Sequence, residues 1–80
     1  MLRYLLLKLA EEAGEVVVAA IKYRLHRTPA TRTELAQEIG DLYAIVDHIL
    51  MVGGISAKVA ATRRNERYAR ELKRMKGKRD

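Results

Sequence analysis

The chain has no cysteine, no tryptophan and no phenylalanine, and only one proline in 80 residues. Without cysteine no disulfide can staple the fold, and thiolate metal sites are excluded. The redox compartment stays open. With Pro29 the lone proline, long stretches are free of the residue that breaks helices most strongly. No apolar run approaches the roughly 18 residues that a membrane span requires. Met1-Leu2-Arg3-Tyr4-Leu5-Leu6-Leu7-Lys8 is too short and too interrupted for a secretory signal, so a soluble cytoplasmic protein is expected.

What is present is aliphatic. Hydrophobic residues make up 49% of the chain and are mostly Leu, Val, Ile and Ala, a composition suited to closely packed helices. Eighty residues make one domain, spanning 1–80. A chain this short buries little of its surface and is marginal by itself. With disulfides excluded, a metal ion and self-association are the supports left.

Charge is uneven. Residues 1–62 carry seven acids and seven bases, whereas residues 63–80 carry nine bases against Glu66, Glu71 and Asp80, so the net charge of +6 lies at the C-terminal end. Such a run attracts phosphates in general. Its plainer meaning is a solvated helix end, with residues 70–80 expected to fray.

The periodicity predicts three helices and no strand. Helix 1 is expected from Leu2 to Arg27, with Leu2, Leu5, Leu6, Leu9, Ala13, Val16, Val17, Ala20 and Tyr23 at helical spacing. A second strip, Leu7, Val18, Ile21 and Leu25, lies roughly opposite, and a second copy of the chain is its simplest partner. Pro29 ends this helix. Thr31-Arg32-Thr33-Glu34 fits a capping box, with Thr31 as N-cap and Glu34 reaching back. Helix 2 then runs to Val52 on a stripe of Leu35, Ile39, Leu42, Val46, Ile49 and Leu50, and Gly53-Gly54 ends it. Ser56 is the expected N-cap of a third helix, Ala57 to Lys76, with a weak stripe of Ala61, Tyr68, Leu72 and Met75. The fold expected is all-α: a helical hairpin plus a third helix, assembling into a four-helix-bundle-type homo-oligomer.

Four acids stand out against this pattern. Glu12 and Glu15 on helix 1, and Glu38 and Asp41 on helix 2, form two pairs at i, i+3 spacing, which puts both members of each pair on one side of a helix. On a helical wheel Glu38 falls between Ile45 and Leu42, and Asp41 at the edge of the apolar arc. Glu12 flanks the stripe of helix 1, with Glu15 one step further out. Antiparallel packing brings the pairs face to face. A stranded carboxylate among Leu and Ile is costly, and four together repel unless a cation neutralises them. Glu11 and Glu34 have plainer explanations, one as a solvent-facing acid and the other as a capping residue. All-carboxylate ligation favours Mg²⁺, with Mn²⁺ as the second candidate. Neither His26 nor His48 has an acid three residues before it, which argues against a di-iron bundle. Zinc lacks its usual ligands. His48 is expected to be a hydrogen-bonded bundle histidine, and His26 a surface one.

Lys8-Leu9-Ala10-Glu11-Glu12-Ala13-Gly14-Glu15-Val16, followed by Glu38-Ile39-Gly40-Asp41-Leu42, resembles the MazG-like all-α nucleoside triphosphate pyrophosphohydrolases. Their pattern is E-x-x-E and, one helix later, E-x-x-D. The resemblance covers residues 5–55. It implies that Glu12, Glu15, Glu38 and Asp41 bind Mg²⁺, that the metal holds a nucleotide's phosphates, and that water attacks between the α and β phosphorus atoms to release a monophosphate and pyrophosphate. It also implies a homodimer or homotetramer. Metal ions assist such chemistry by neutralising charge and activating water. Glu11 or Glu12 is the candidate for orienting the water. Cations for the phosphates are sought in Lys8, Lys22, Lys58 and the Arg63-Arg64 pair, with Lys8 also placed to pair with Glu12 or Glu15. Lys58, Asn65, Arg67 and Tyr68 are similar to a series the family carries on its next helix, at a longer Lys-to-Asn spacing.

Two other functions fit the composition. One is a nucleic-acid-binding module working through residues 63–79, whose affinity would fall steeply with salt. The other is a structural bundle of the same fold without turnover.

Overall fold

The computed structural model describes residues 1–77, and these form α1 (Leu2–Leu25), α2 (Pro29–Val52) and α3 (Ala57–Lys76). The protein is all-helical among the described residues, with no strand. Residues 78–80 of the basic end lie outside them. The part of that end within them, 70–76, belongs to α3.

The turn between α1 and α2 departs from the sequence reading in two ways. Helix 1 stops at Leu25 instead of Arg27. The reason is Pro29, which drives Thr28 into an extended conformation at φ −121° and ψ 162°, so the chain must leave the helix before that residue. The N-cap is therefore Thr28, not Thr31. Thr28 Oγ1 accepts from the Thr31 amide at 3.1 Å, and Thr31 Oγ1 accepts from the Thr28 amide at 3.1 Å. A threonine pair thus makes the reciprocal cap, with Pro29 at a position whose missing N–H costs nothing. Glu34 is left out of the cap and pairs across the hairpin with Lys22, Nζ to Oε1 3.5 Å.

The other boundaries match expectation. The Gly53 amide donates to the Ile49 carbonyl at 2.8 Å, closing α2, and Gly54 at φ +68° turns the chain. Ser56 Oγ accepts from the Val59 amide at 3.1 Å and caps α3.

Helices α1 and α2 pack as an antiparallel hairpin, while α3 makes almost no contact with either. Leu5, Ala19 and Ile49 are the buried apolar residues of the seam, and α3 buries none. Ala19 was outside the expected stripe of α1. Leu6 and Val17 were inside it and are 46% and 57% exposed. The Cα atoms span 39 × 29 × 15 Å. The shortest dimension is little more than one helix diameter of about 10–12 Å, so the chain is a single layer of helices. Domains are ordinarily built from two packed layers.

Candidate metal centre

The seam of the hairpin carries the acids. Glu12 and Glu15 project from the middle of α1, Glu38 and Asp41 from the middle of α2, and antiparallel packing puts the two pairs at the same height. Carboxylate oxygens of Glu12, Glu38 and Asp41 lie within 4.8 Å of one another, and so do oxygens of Glu11, Glu12 and Glu15. Glu12 belongs to both groups and links them. Glu12 and Glu38 are half-buried, Glu15 and Asp41 exposed.

The electrostatics of this cluster are unresolved by the protein itself. Among the described residues no lysine or arginine forms an ion pair with Glu12, Glu15, Glu38 or Asp41. One oxygen of Glu12 and one of Glu38, Oε2 in each, is buried without a hydrogen-bond partner. Protons are held more tightly as a result. Glu12 is pushed above the usual carboxylate range first by desolvation, then by the charges of Glu15, Asp41 and Glu11. Glu38 is pushed up first by a hydrogen bond with Glu15, then by desolvation and the neighbouring acids. When ionised, neither offers the other a donor, and the buried Oε2 atoms stand unpartnered.

A divalent cation fits this arrangement. The donors are all carboxylate oxygens, which suits Mg²⁺ or Mn²⁺. An ion would partner the orphaned oxygens and remove the repulsion. Glu12, Glu38 and Asp41 are the residues that would hold it across the helices, with Glu15 beside them.

The cations expected around the site separate into two sets. Lys8 lies one turn before Glu12, its Nζ 3.3 Å from Glu11 Oε1 and 5.9 Å from the centre of the Tyr4 ring. Its partner is Glu11, not Glu12 or Glu15, and that contact raises its pKa. Lys22, paired with Glu34, lines an open cleft of about 340 Å³ with Glu11, Glu15, Glu38 and Val18. Lys58 and Arg64 belong to α3 and line no part of this cleft. Lys58 borders a surface depression made of α3 residues alone, with Val59, Thr62, Arg63 and Glu66, and the Arg64 side chain donates to Asn65 Oδ1 at 3.3 Å.

His48, expected to be hydrogen-bonded within the bundle, is instead exposed and lines an apolar cleft with Tyr4, Leu5, Ile45 and Val52. Among the described residues, the Lys22–Glu34 pair is the one inter-helix ion pair, and it was not expected from the sequence. Its only sequence signal is the symmetric placement of a base and an acid on either side of the turn. Comparison of the chain with family models, with curated proteins and with solved structures gives no match.

Proposed function

We propose that this protein is a Mg²⁺-dependent nucleotide pyrophosphohydrolase that cleaves a nucleoside triphosphate between the α and β phosphates. The observation that carries this reading is the convergence of Glu12, Glu38 and Asp41 with two buried, unpartnered oxygens. The resemblance of the two acid motifs to the MazG-like family supplies the reaction. Phosphoryl transfer asks a protein mainly for positioning and charge neutralisation, and an acid cluster beside an open cleft suits both.

The roles follow from placement. Glu12, Glu15, Glu38 and Asp41 hold the cation, whose contribution when bound is Lewis-acid neutralisation of phosphate charge and a lower pKa for coordinated water. Glu11 is the better candidate of the two for orienting the attacking water. It is exposed, close to Glu12 and Glu15, and outside the inter-helix set. Lys8 holds Glu11 in place, and Lys22 lines the cleft where phosphates would lie. The substrate is a triphosphate of the cytoplasmic nucleotide pool, and the working unit is a homodimer or homotetramer of four-helix-bundle type.

Pyrophosphate release, measured across the common nucleoside triphosphates with Mg²⁺, is the test. Turnover by the native chain that disappears in Glu38→Gln, with helix content retained by circular dichroism, supports the reading. Equal turnover in the variant removes it. Stabilisation by Mg²⁺ without turnover on any nucleotide favours a structural bundle instead.

A nucleic-acid-binding function has one observation in its favour, the basic helix α3 standing clear of the hairpin. It leaves the acid cluster without a purpose, and α3 carries no recognised reading motif.

A further inference from the structure

A second cleft lies on the same side of the hairpin as the acids. Tyr4, Leu5, Ile45, His48 and Val52 line it, and its volume is about 340 Å³. At 100° per residue, Tyr4, Lys8, Glu12 and Glu15 fall within one arc of about 80° on α1. Glu38, Asp41, Ile45 and His48 do the same on α2. Cleft and acids are therefore successive stretches of one groove. Glu12 and Tyr4 are eight residues apart, Asp41 and His48 seven, so the cleft lies about 10–12 Å along the helix axes from the acids. Lys22 and Glu34 occupy the opposite end of the groove, beyond Glu15 and Glu38.

The walls of this cleft differ in kind from the rest of the groove. Leu5, Ile45 and Val52 are aliphatic, Tyr4 and His48 are planar rings, and among the described residues no acid, lysine or arginine lines it. Small-molecule sites are mostly apolar, with a few polar groups that fix orientation, and this volume is at the small end of their range. Here those groups are the Tyr4 hydroxyl and the ring nitrogens of His48. Both residues are exposed, so their rings are open to a ligand. An aromatic heterocycle with a polar edge matches such walls, since it stacks on ring faces and bonds at its rim. Lys8 marks the joint between cleft and acids. It is half-buried, with its Nζ 5.9 Å from the centre of the Tyr4 ring and 3.3 Å from Glu11 Oε1.

We infer that the apolar cleft holds the nucleoside, with the base against Tyr4 and His48 and the phosphates running from Lys8 past the acids toward Lys22. This rests on the proposed hydrolase for the triphosphate and adds a direction along the hairpin. The nucleoside lies where α1 begins and α2 ends, and the terminal phosphate lies toward the turn. Lys8 then stands where ribose meets phosphate. The same walls set the specificity. Strong discrimination needs a site whose buried polar groups are left unpaired by the wrong base, and two exposed polar side chains do not supply that. The cleft selects for a ring and not for one base, so purines and pyrimidines should bind within about tenfold of one another.

Proton NMR on the full chain in chelator, titrated with adenosine and then with uridine, tests the cleft without metal, phosphate or turnover. The ring signals of His48 and Tyr4 should shift with either nucleoside, and those of His26 and Tyr43, which lie outside the cleft, should not. No selective shift at millimolar nucleoside, or equal shifts at Tyr43, overturns the inference. Shifts that follow protein concentration and not nucleoside also overturn it, because a second copy then covers the cleft. Two variants at exposed positions separate the parts of the ligand by calorimetry with Mg²⁺. His48→Ala removes a ring, and Val52→Trp fills the space. Each should weaken binding of inert α,β-methylene ATP by about fivefold or more. Each should leave binding of inorganic triphosphate unchanged and helix content intact. Equal losses for both ligands, or a loss for neither, count against the nucleoside site. A chain that binds inorganic triphosphate with Mg²⁺ but no nucleoside keeps the metal-centre reading and loses this one. Selective nucleoside shifts without triphosphate binding or turnover keep the nucleoside site and remove the hydrolase.

Discussion

Glu12 on α1 and Glu38 on α2 each keep one carboxylate oxygen buried and unpartnered, in a cluster that Asp41 completes. Twenty-five residues separate them in sequence, and a three-residue turn brings them together. Folding concentrates carboxylates at one point, the arrangement on which the proposed cation site rests.

Stability should depend on pH in a direction opposite to that of ordinary surface carboxylates. Glu12 and Glu38 hold their protons above the usual 4.5 in the folded chain. The stability they contribute is fully present below that unfolded-state value and is lost as pH rises through the raised folded values. Metal-free protein in chelator should therefore melt at a lower temperature at pH 8 than at pH 5.5. Mg²⁺ should stabilise it more at pH 8, since ligands must be deprotonated. Melting curves at the two pH values, with and without Mg²⁺, read both effects.

Glu38→Gln should separate folding from binding. It removes a charge from the cluster and leaves an amide that can donate to Glu15. The metal-free variant is expected to melt above the native chain at pH 8, and its stabilisation by Mg²⁺ should fall at least tenfold in apparent affinity. A variant that is destabilised without metal, or that still binds Mg²⁺ normally by calorimetry, would contradict the electrostatic account.

Thr28→Ala should cost about 1 kcal/mol in denaturant unfolding, the usual worth of an N-cap. Glu34→Ala should cost less, because the Lys22–Glu34 pair is solvent-exposed and such pairs contribute roughly 0–1 kcal/mol. The reverse order would restore the Thr31–Glu34 box.

Gly53→Ala should destabilise by about 1–3 kcal/mol, the range for forcing atoms into occupied space. A Cβ at Gly53 would sit 2.7 Å from the Ile49 carbonyl oxygen and 3.1 Å from Leu2 Cδ1. The φ of −89° at Gly53 is open to any residue, so crowding alone is responsible. Gly54→Ala meets open space but must adopt φ +68°, a penalty of about 1–2 kcal/mol. Chemical denaturation of the two variants reads both costs.

Helices were readable from sequence because their causes are local. The single proline, the Gly53-Gly54 pair and Ser56 place the boundaries of α2 and α3, while 3.6-residue periodicity puts Leu5 in the seam of α1 but leaves out Ala19 and includes the exposed Leu6 and Val17. The Thr–Glu form of the capping box points to Thr31 and Glu34, whereas the cap is Thr28, the residue that proline restricts. That same restriction is what makes it extended and able to cap. Among the acids, the wheel placed Glu12 and Glu38 deeper than Glu15 and Asp41, and the structure agrees. Lys8 pairing with Glu11 was not foreseen, since three- and four-residue spacings compete on equal terms until rotamers are fixed.

Sequence alone determined that this chain is helical, where it turns, and that two acid pairs ride near the seam, because backbone preference and hydrophobic period act over a few residues. Only the tertiary structure decided that oxygens from both helices meet within 4.8 Å with two of them unpartnered, that Lys22 reaches Glu34, and that α3 stands apart. Those facts depend on the register and depth of one helix against another, which many residues fix together.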